Sequence, residues 1–169
     1  MVTIVIKAIA LPQTMTDNTG KQLKLEEFLP YRLSILSNKV SRAIADSYAE
    51  RFDLSISEWR VIAVLSRFPG ISAAQVAGRT AMGKVAVSRA VSRLINADRI
   101  QRRFADADRR RSILELTDKG HAIYKEIRPI AQRYEDTLLK GLSNTEKRQL
   151  DALLTKLTDT AENLKVSCN

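Results

Sequence analysis

The stretch ISAAQVAGRTAMGKVAVSRAVSRL, residues 71–94, decides the fold. Ser72 and Gln75 stand at capping-box spacing, which predicts a short helix running to about Arg79. The pattern breaks over residues 81–83, and a second helix is expected from Lys84 to Ala97. Two short helices joined by a tight turn make a helix-turn-helix. On the second helix Val87, Val91 and Leu94 share one face, which leaves Lys84, Val85, Ser88, Arg89 and Ser92 on the other. Small and basic side chains on an exposed face suit a major groove. Ser88 can contact a base or a phosphate, and Arg89 can fork onto guanine.

Upstream, Leu33, Leu36, Val40, Ala43 and Ile44 recur at helical steps between Leu29 and Phe52, with Pro30 suited to the first turn. A further helix starts at the Ser55/Glu58 capping box, buries Trp59, Ile62 and Ala63, and stops at Pro69-Gly70. Downstream the period changes. Residues 100–104 and 112–116 read as two strands around a polar, charged loop, which is a hairpin. Thr117 then caps a long helix carrying Ile123, Ile127, Ile130, Tyr134 and Leu138, with Pro129 inside it. A third capping box, Ser143 with Glu146, opens a last helix whose Leu150, Leu153, Leu154, Leu157, Ala161 and Leu164 form one stripe. So broad a stripe calls for a partner helix.

The charge is unevenly spread. The chain has 169 residues and a formal net charge of +9. Between Ala81 and Ser112 there are nine basic and three acidic residues, a surplus of six. Three of the basic residues, Arg109, Arg110 and Arg111, are consecutive and fall at the hairpin tip. A run of charge is usually a solvated surface, but a run beside a helix-turn-helix is placed to reach the minor groove, whose negative potential attracts arginine.

Composition excludes other classes. Apolar content of 44% with 6 Gly and 4 Pro is that of a folding chain, of a size for one domain. The opening residues 1–11 are too few to span a bilayer and carry Lys7, so neither a membrane anchor nor a signal peptide is expected. Residues 1–14 read as an extension ahead of a more ordinary start at Met15. The single cysteine, Cys168, permits no intrachain disulfide and no cysteine metal site, which points to a reducing cytoplasm. One histidine, His121, has no sequence-level catalytic partner, and no phosphate-binding loop or metal-ligand spacing occurs. No catalysis, cofactor or metal is expected.

Taken together, LSISEWRVIAVL (54–65), residues 71–94 and DADRRRSILELTDKG (106–120) resemble the MarR (multiple antibiotic resistance regulator) family of winged-helix transcription factors, over about Leu29 to Leu164. One departure is Asp98, where the family usually has glycine; Asp tolerates a left-handed cap, so the turn should survive. The resemblance implies a mainly α fold with a small β-hairpin wing. Residues 1–28 would be an extension, 29–54 a dimerisation helix, 55–116 the winged helix-turn-helix lobe and 117–169 further dimerisation helices. It implies that the helix from Lys84 is the recognition helix, that Arg109, Arg110 and Arg111 are the wing tip, and that two copies bind an inverted-repeat operator in double-stranded DNA. It also implies a pocket between the dimerisation helices and the DNA-binding lobe for a small aromatic or apolar anionic effector. Tyr31, Leu36, Trp59, Ile62 and Phe68 are candidates for its lining, although Trp59 and Ile62 read equally as plain core. The function expected is a homodimeric, sequence-specific repressor; a winged-helix module that binds DNA without sequence choice, or docks a protein, is the alternative.

Overall fold

The computed structural model describes residues 23–105 and 108–167; for 105, 108–111 and 165–167 it describes the backbone alone. The extension expected at residues 1–14 lies outside the described residues. Two compact units meet at Asn38/Lys39. Of the first, residues 23–38 are described: a turn closed by the bonds from Glu27 N to Lys24 O (3.1 Å) and Phe28 N to Leu25 O (3.2 Å), then the first turns of helix α1 (Leu29–Asp46).

The second unit holds the rest of α1, then α2 (Ala49–Phe52), α3 (Ile56–Arg67), α4 (Ala73–Thr80), α5 (Lys84–Asn96), β1 (Ile100–Ala105), β2 (Asp108–Leu116), α6 (Asp118–Leu138) and α7 (Asn144–Ser167). The caps are those the sequence encodes. The Ser55/Glu58 and Ser72/Gln75 boxes are reciprocal, each serine accepting from the third backbone N–H while that residue's side chain accepts from the serine N–H. Thr117 accepts from Gly120 N at 3.2 Å, and Ser143 and Glu146 bond likewise at the head of α7. Glu146 gains enough from the Ser143 backbone bond for its carboxyl to titrate below the usual range.

Two expectations differ from the structure. The helix expected from Leu29 to Phe52 is interrupted at Ser47–Tyr48, where the bonds tighten to Ser47 N–Ile44 O (3.1 Å) and Tyr48 N–Ala45 O (3.0 Å) and Tyr48 becomes 1% exposed. Burial of one large ring outweighs a few helical bonds. The charged loop between the strands is also shorter than expected. The strands extend to Ala105 and from Asp108, which pair after a register shift at Phe104/Ala105. A backbone ladder can continue beyond the apolar core when water solvates both of its faces.

The core joins α3, α4, α5, the hairpin and α6. Val61, Ile62 and Leu65 meet Val76, Val87, Val91 and Leu94, with Ile100, Leu114, Leu116, Ile123 and Ile127 closing it. Antiparallel pairing sets Ile100 opposite Leu116 and Arg102 opposite Leu114, while Ile71 bridges to Leu114 from the other side. Asp98 adopts φ 55°, the left-handed turn expected of it, and Ala81 at φ 52° makes the turn between α4 and α5.

Gly120 is required for space. A Cβ there would lie 2.1 Å from the Arg99 carbonyl oxygen and 3.3 Å from Leu116 Cδ2. Gly120→Ala is expected to destabilise by about 2–3 kcal/mol or more, because backbone and not a flexible side chain must yield. Urea unfolding of the variant beside the parent measures this; an unchanged midpoint would contradict the packing described.

Candidate nucleic-acid interface

Helix α5 divides cleanly. Val87, Ala90, Val91 and Leu94 are buried, at 1%, 3%, 1% and 0% exposure, so the helix cannot rotate without uncovering the core. Lys84, Val85, Ala86, Ser88, Arg89, Ser92 and Arg93 are exposed, and Val85 at 66% leaves a branched methyl pair in water. The α4–α5 turn in front of this face is braced by Thr80, whose hydroxyl donates to Val76 O at 2.8 Å and accepts from Met82 N at 3.4 Å. No acidic residue occurs within α5. The face is therefore small and positive.

Behind it sits Glu58, 2% exposed. One carboxylate oxygen accepts from Ser55 N (2.9 Å) and from Ser55 Oγ; the other lies 3.3 Å from Arg93 Nε. Arg93 itself is 62% exposed. Sequence spacing shows the capping role of Glu58 but not this link, since Glu58 and Arg93 are distant in the chain.

On the hairpin, Arg102 is exposed and Arg103 lies 3.3 Å from Glu115. The backbone of Arg109, Arg110 and Arg111 runs in β2; their side chains, with Asp106 and Ala107, lie outside the described residues.

A second feature is a hollow of about 510 Å³ bordered by Val40, Ile44, Trp59, Ala63, Tyr124, Arg128, Ala131, Gln132, Tyr134, Glu135 and Leu138. Trp59 stacks on Tyr124 (centroids 5.9 Å, 21°) and tilts against Tyr48 (5.8 Å, 45°). Of the residues named from sequence as pocket lining, Trp59 borders the hollow. Ile62 does not: it is 0% exposed within the core. Phe68 does not either; it lies under the guanidinium of Arg79 at 3.9 Å, with Arg67 at 5.6 Å. Tyr31 and Leu36 belong to the first unit and are exposed. The α6 residues of the hollow are not among those the sequence suggests as lining, although Tyr124, Arg128, Ala131, Glu135 and Leu138 recur at three- and four-residue steps. Among the described residues there is no cluster of three or more metal-ligating side chains, and no helix is long and apolar enough to cross a membrane.

A helix-turn-helix followed by an antiparallel hairpin, with a basic helix face turned to water, defines a winged-helix DNA-binding protein. The sequence matches the MarR family profile over residues 52–111. It is 28% identical over 116 residues to the HTH-type transcriptional regulator BilQ of Clostridium symbiosum, covering 69% of this chain and 81% of that one. It is 43% identical over 58 residues to the transcriptional repressor MprA of Escherichia coli, covering 34% of this chain and 33% of that one. The crystal structure of a MarR/EmrR family transcriptional regulator from Acinetobacter superposes with a TM-score of 0.77 at 28% identity, covering 83% of this chain and 99% of that one. Over residues 52–111 the chain is similar to the MarR family of DNA-binding transcriptional regulators, and its fold matches that of a solved member. These relatives are transcriptional regulators.

Burial raises the Tyr48 phenol from 10.0 to about 12, an effect that nearby Glu58 adds to and Arg60 opposes. The raised value means that the folded state holds the proton more tightly than the unfolded chain. The associated stability is complete well below pH 10, falls as pH rises between about 10 and 12, and is lost above that. Tyr48→Phe is therefore expected to lose less stability than the parent between pH 9 and pH 12 in paired urea titrations, and an identical pH slope would count against it.

Proposed function

We propose that this protein is a homodimeric repressor that reads an inverted-repeat operator with α5 in the major groove and the hairpin in the adjacent minor groove. The observation that carries this reading is the division of α5 into a fully buried apolar face and an exposed face of Lys84, Val85, Ser88, Arg89 and Ser92 without any carboxylate. Arg89 is assigned to a guanine edge, Ser88 and Ser92 to bases or phosphates, Lys84 to phosphate, and Val85 to a thymine methyl. Arg109, Arg110 and Arg111 are assigned to the minor groove. Residues 55–116 are the DNA-binding lobe, and 29–54 with 117–169 supply the dimer contacts. The repressor role draws support from MprA, a transcriptional repressor, at 43% identity over 58 residues.

Dimerisation draws support from α7, where Leu153, Leu154, Leu157 and Leu164 are 59%, 45%, 43% and 61% exposed on one stripe. A single chain leaves this surface wet, and burying each leucine is worth on the order of 2 kcal/mol. A twofold pair would set the recognition helices about 34 Å apart, one turn of DNA. The hollow beside Trp59 is the effector site of this reading, where an aromatic anion would stack on the Trp59–Tyr124 pair and meet Arg128.

Selection from a random duplex pool tests the reading directly; the expected product is an inverted repeat with half-sites about ten base pairs apart. Recovery of no motif would favour non-specific binding instead. Arg89→Ala should cost about 1–3 kcal/mol on the selected site and relax one base position. Replacing Arg109, Arg110 and Arg111 with alanine should weaken all duplexes alike and flatten the salt dependence, by about 0.9 in the log–log slope for each phosphate that is no longer neutralised. Leu153→Glu with Leu157→Glu should yield monomers by light scattering; a parent that is itself monomeric at micromolar concentration would refute the dimer. Salicylate-like anions should quench Trp59, the only tryptophan, and lower operator affinity by roughly five- to 150-fold, with operator weakening the anion by the same factor. Equal operator affinity with and without a broad panel of such anions would remove the effector from the reading.

A further inference from the structure

The turn that ends α5 is fastened from two sides at one residue. From α6, Lys119 Nζ donates to Ala97 O at 2.9 Å, Thr117 Oγ1 donates to Asp98 O at 2.8 Å, and Thr117 N donates to Arg99 O at 3.2 Å. Three successive carbonyls thus accept from the first turn of one helix, and Gly120 lets that helix press on the last of them. From the other side, the Arg99 guanidinium donates to the carbonyls of Asp53, at 3.0 Å, and of Phe52, where the chain turns through a left-handed Asp53 (φ 46°) between α2 and α3. Arg51, just before that turn, pairs with Glu126 of α6. The backbone of Arg99 is held by α6, and its side chain holds the corner before α3.

Arg99 Nε is buried and finds no acceptor among the described residues. Such an orphan donor is uncommon and costs stability. An apolar side chain would fill the space without it, but only a planar fork supplies two directional bonds at a fixed angle. We infer that Arg99 is a positioning residue for operator recognition: its fork ties the end of the recognition helix α5 to the α2–α3 corner, which Arg51 in turn joins to Glu126 of α6, and so sets which half-site spacing a dimer accepts. This rests on the reading of a dimer on an inverted repeat.

The test uses the full-length protein and duplexes carrying two copies of its selected half-site, with the spacer changed one base pair at a time. The parent should favour one spacer. In Arg99→Met, which keeps the stem and loses both fork bonds, the preference for that spacer over its neighbours should fall at least about tenfold, while base preference within each half-site stays as in the parent. Arg99→Lys should lose part of the preference. Val61→Ala, which loosens the packing under α5 and leaves the Arg99 fork intact, should weaken binding and keep the preference. Spacer preference in Arg99→Met equal to the parent's, however much overall affinity drops, overturns the inference, as does an equal loss in Val61→Ala. Should Arg99→Met not fold, Arg99→Lys decides, and parental preference there overturns it. A parent without any spacer preference defeats the dimer reading itself, and that failure is recognisable because it appears before any substitution.

Discussion

Burial of one face of α5 against α3 is the constraint on which the rest of the structure depends. Val87, Val91 and Leu94 pack with Val61, Ile62 and Leu65, all at 1% exposure or less. Each such side chain is worth about 2 kcal/mol when withdrawn from water, so rotating α5 by half a turn would forfeit much of the stability of a domain this size. The exposed face is thereby determined. Whatever Lys84, Ser88, Arg89 and Ser92 do, they do it on a helix that cannot turn away.

The same packing manages charge. Among the described residues Glu58 is the buried charged one, and it is tolerable there because its oxygens are occupied by the Ser55 backbone and hydroxyl and by Arg93. A carboxylate placed on the outer face of α5 would oppose phosphate; placed behind the helix, it engages one nitrogen of a largely exposed arginine. The basic surplus between Ala81 and Ser112 is therefore presented outward without loss of the core's neutrality.

The apolar surface left over is also informative. The leucines of α7 stay exposed beside a well-filled core, and Trp59, Tyr124 and Leu138 border an open hollow on its surface. Surfaces of this kind serve association or ligand binding more often than they persist bare.

Local features were legible from the chain alone. The caps at Ser55, Ser72, Thr117 and Ser143 and the two faces of α5 follow from residues three or four apart, the hairpin from two short strand-like runs around a charged loop, and the turn at Asp98 from the family resemblance together with the tolerance of Asp for a left-handed cap. The tertiary structure decided the rest. The interruption of the first helix at Tyr48, the burial of Ile62 away from the hollow that Trp59 borders, the Glu58–Arg93 pair and the fastening of Arg99 to Phe52 and Asp53 join residues that no sequence period relates. The reason is physical: a helical stripe states which side chains avoid water, but which of them meet each other, and which are left to line a hollow, depends on how the helices cross once the core has closed.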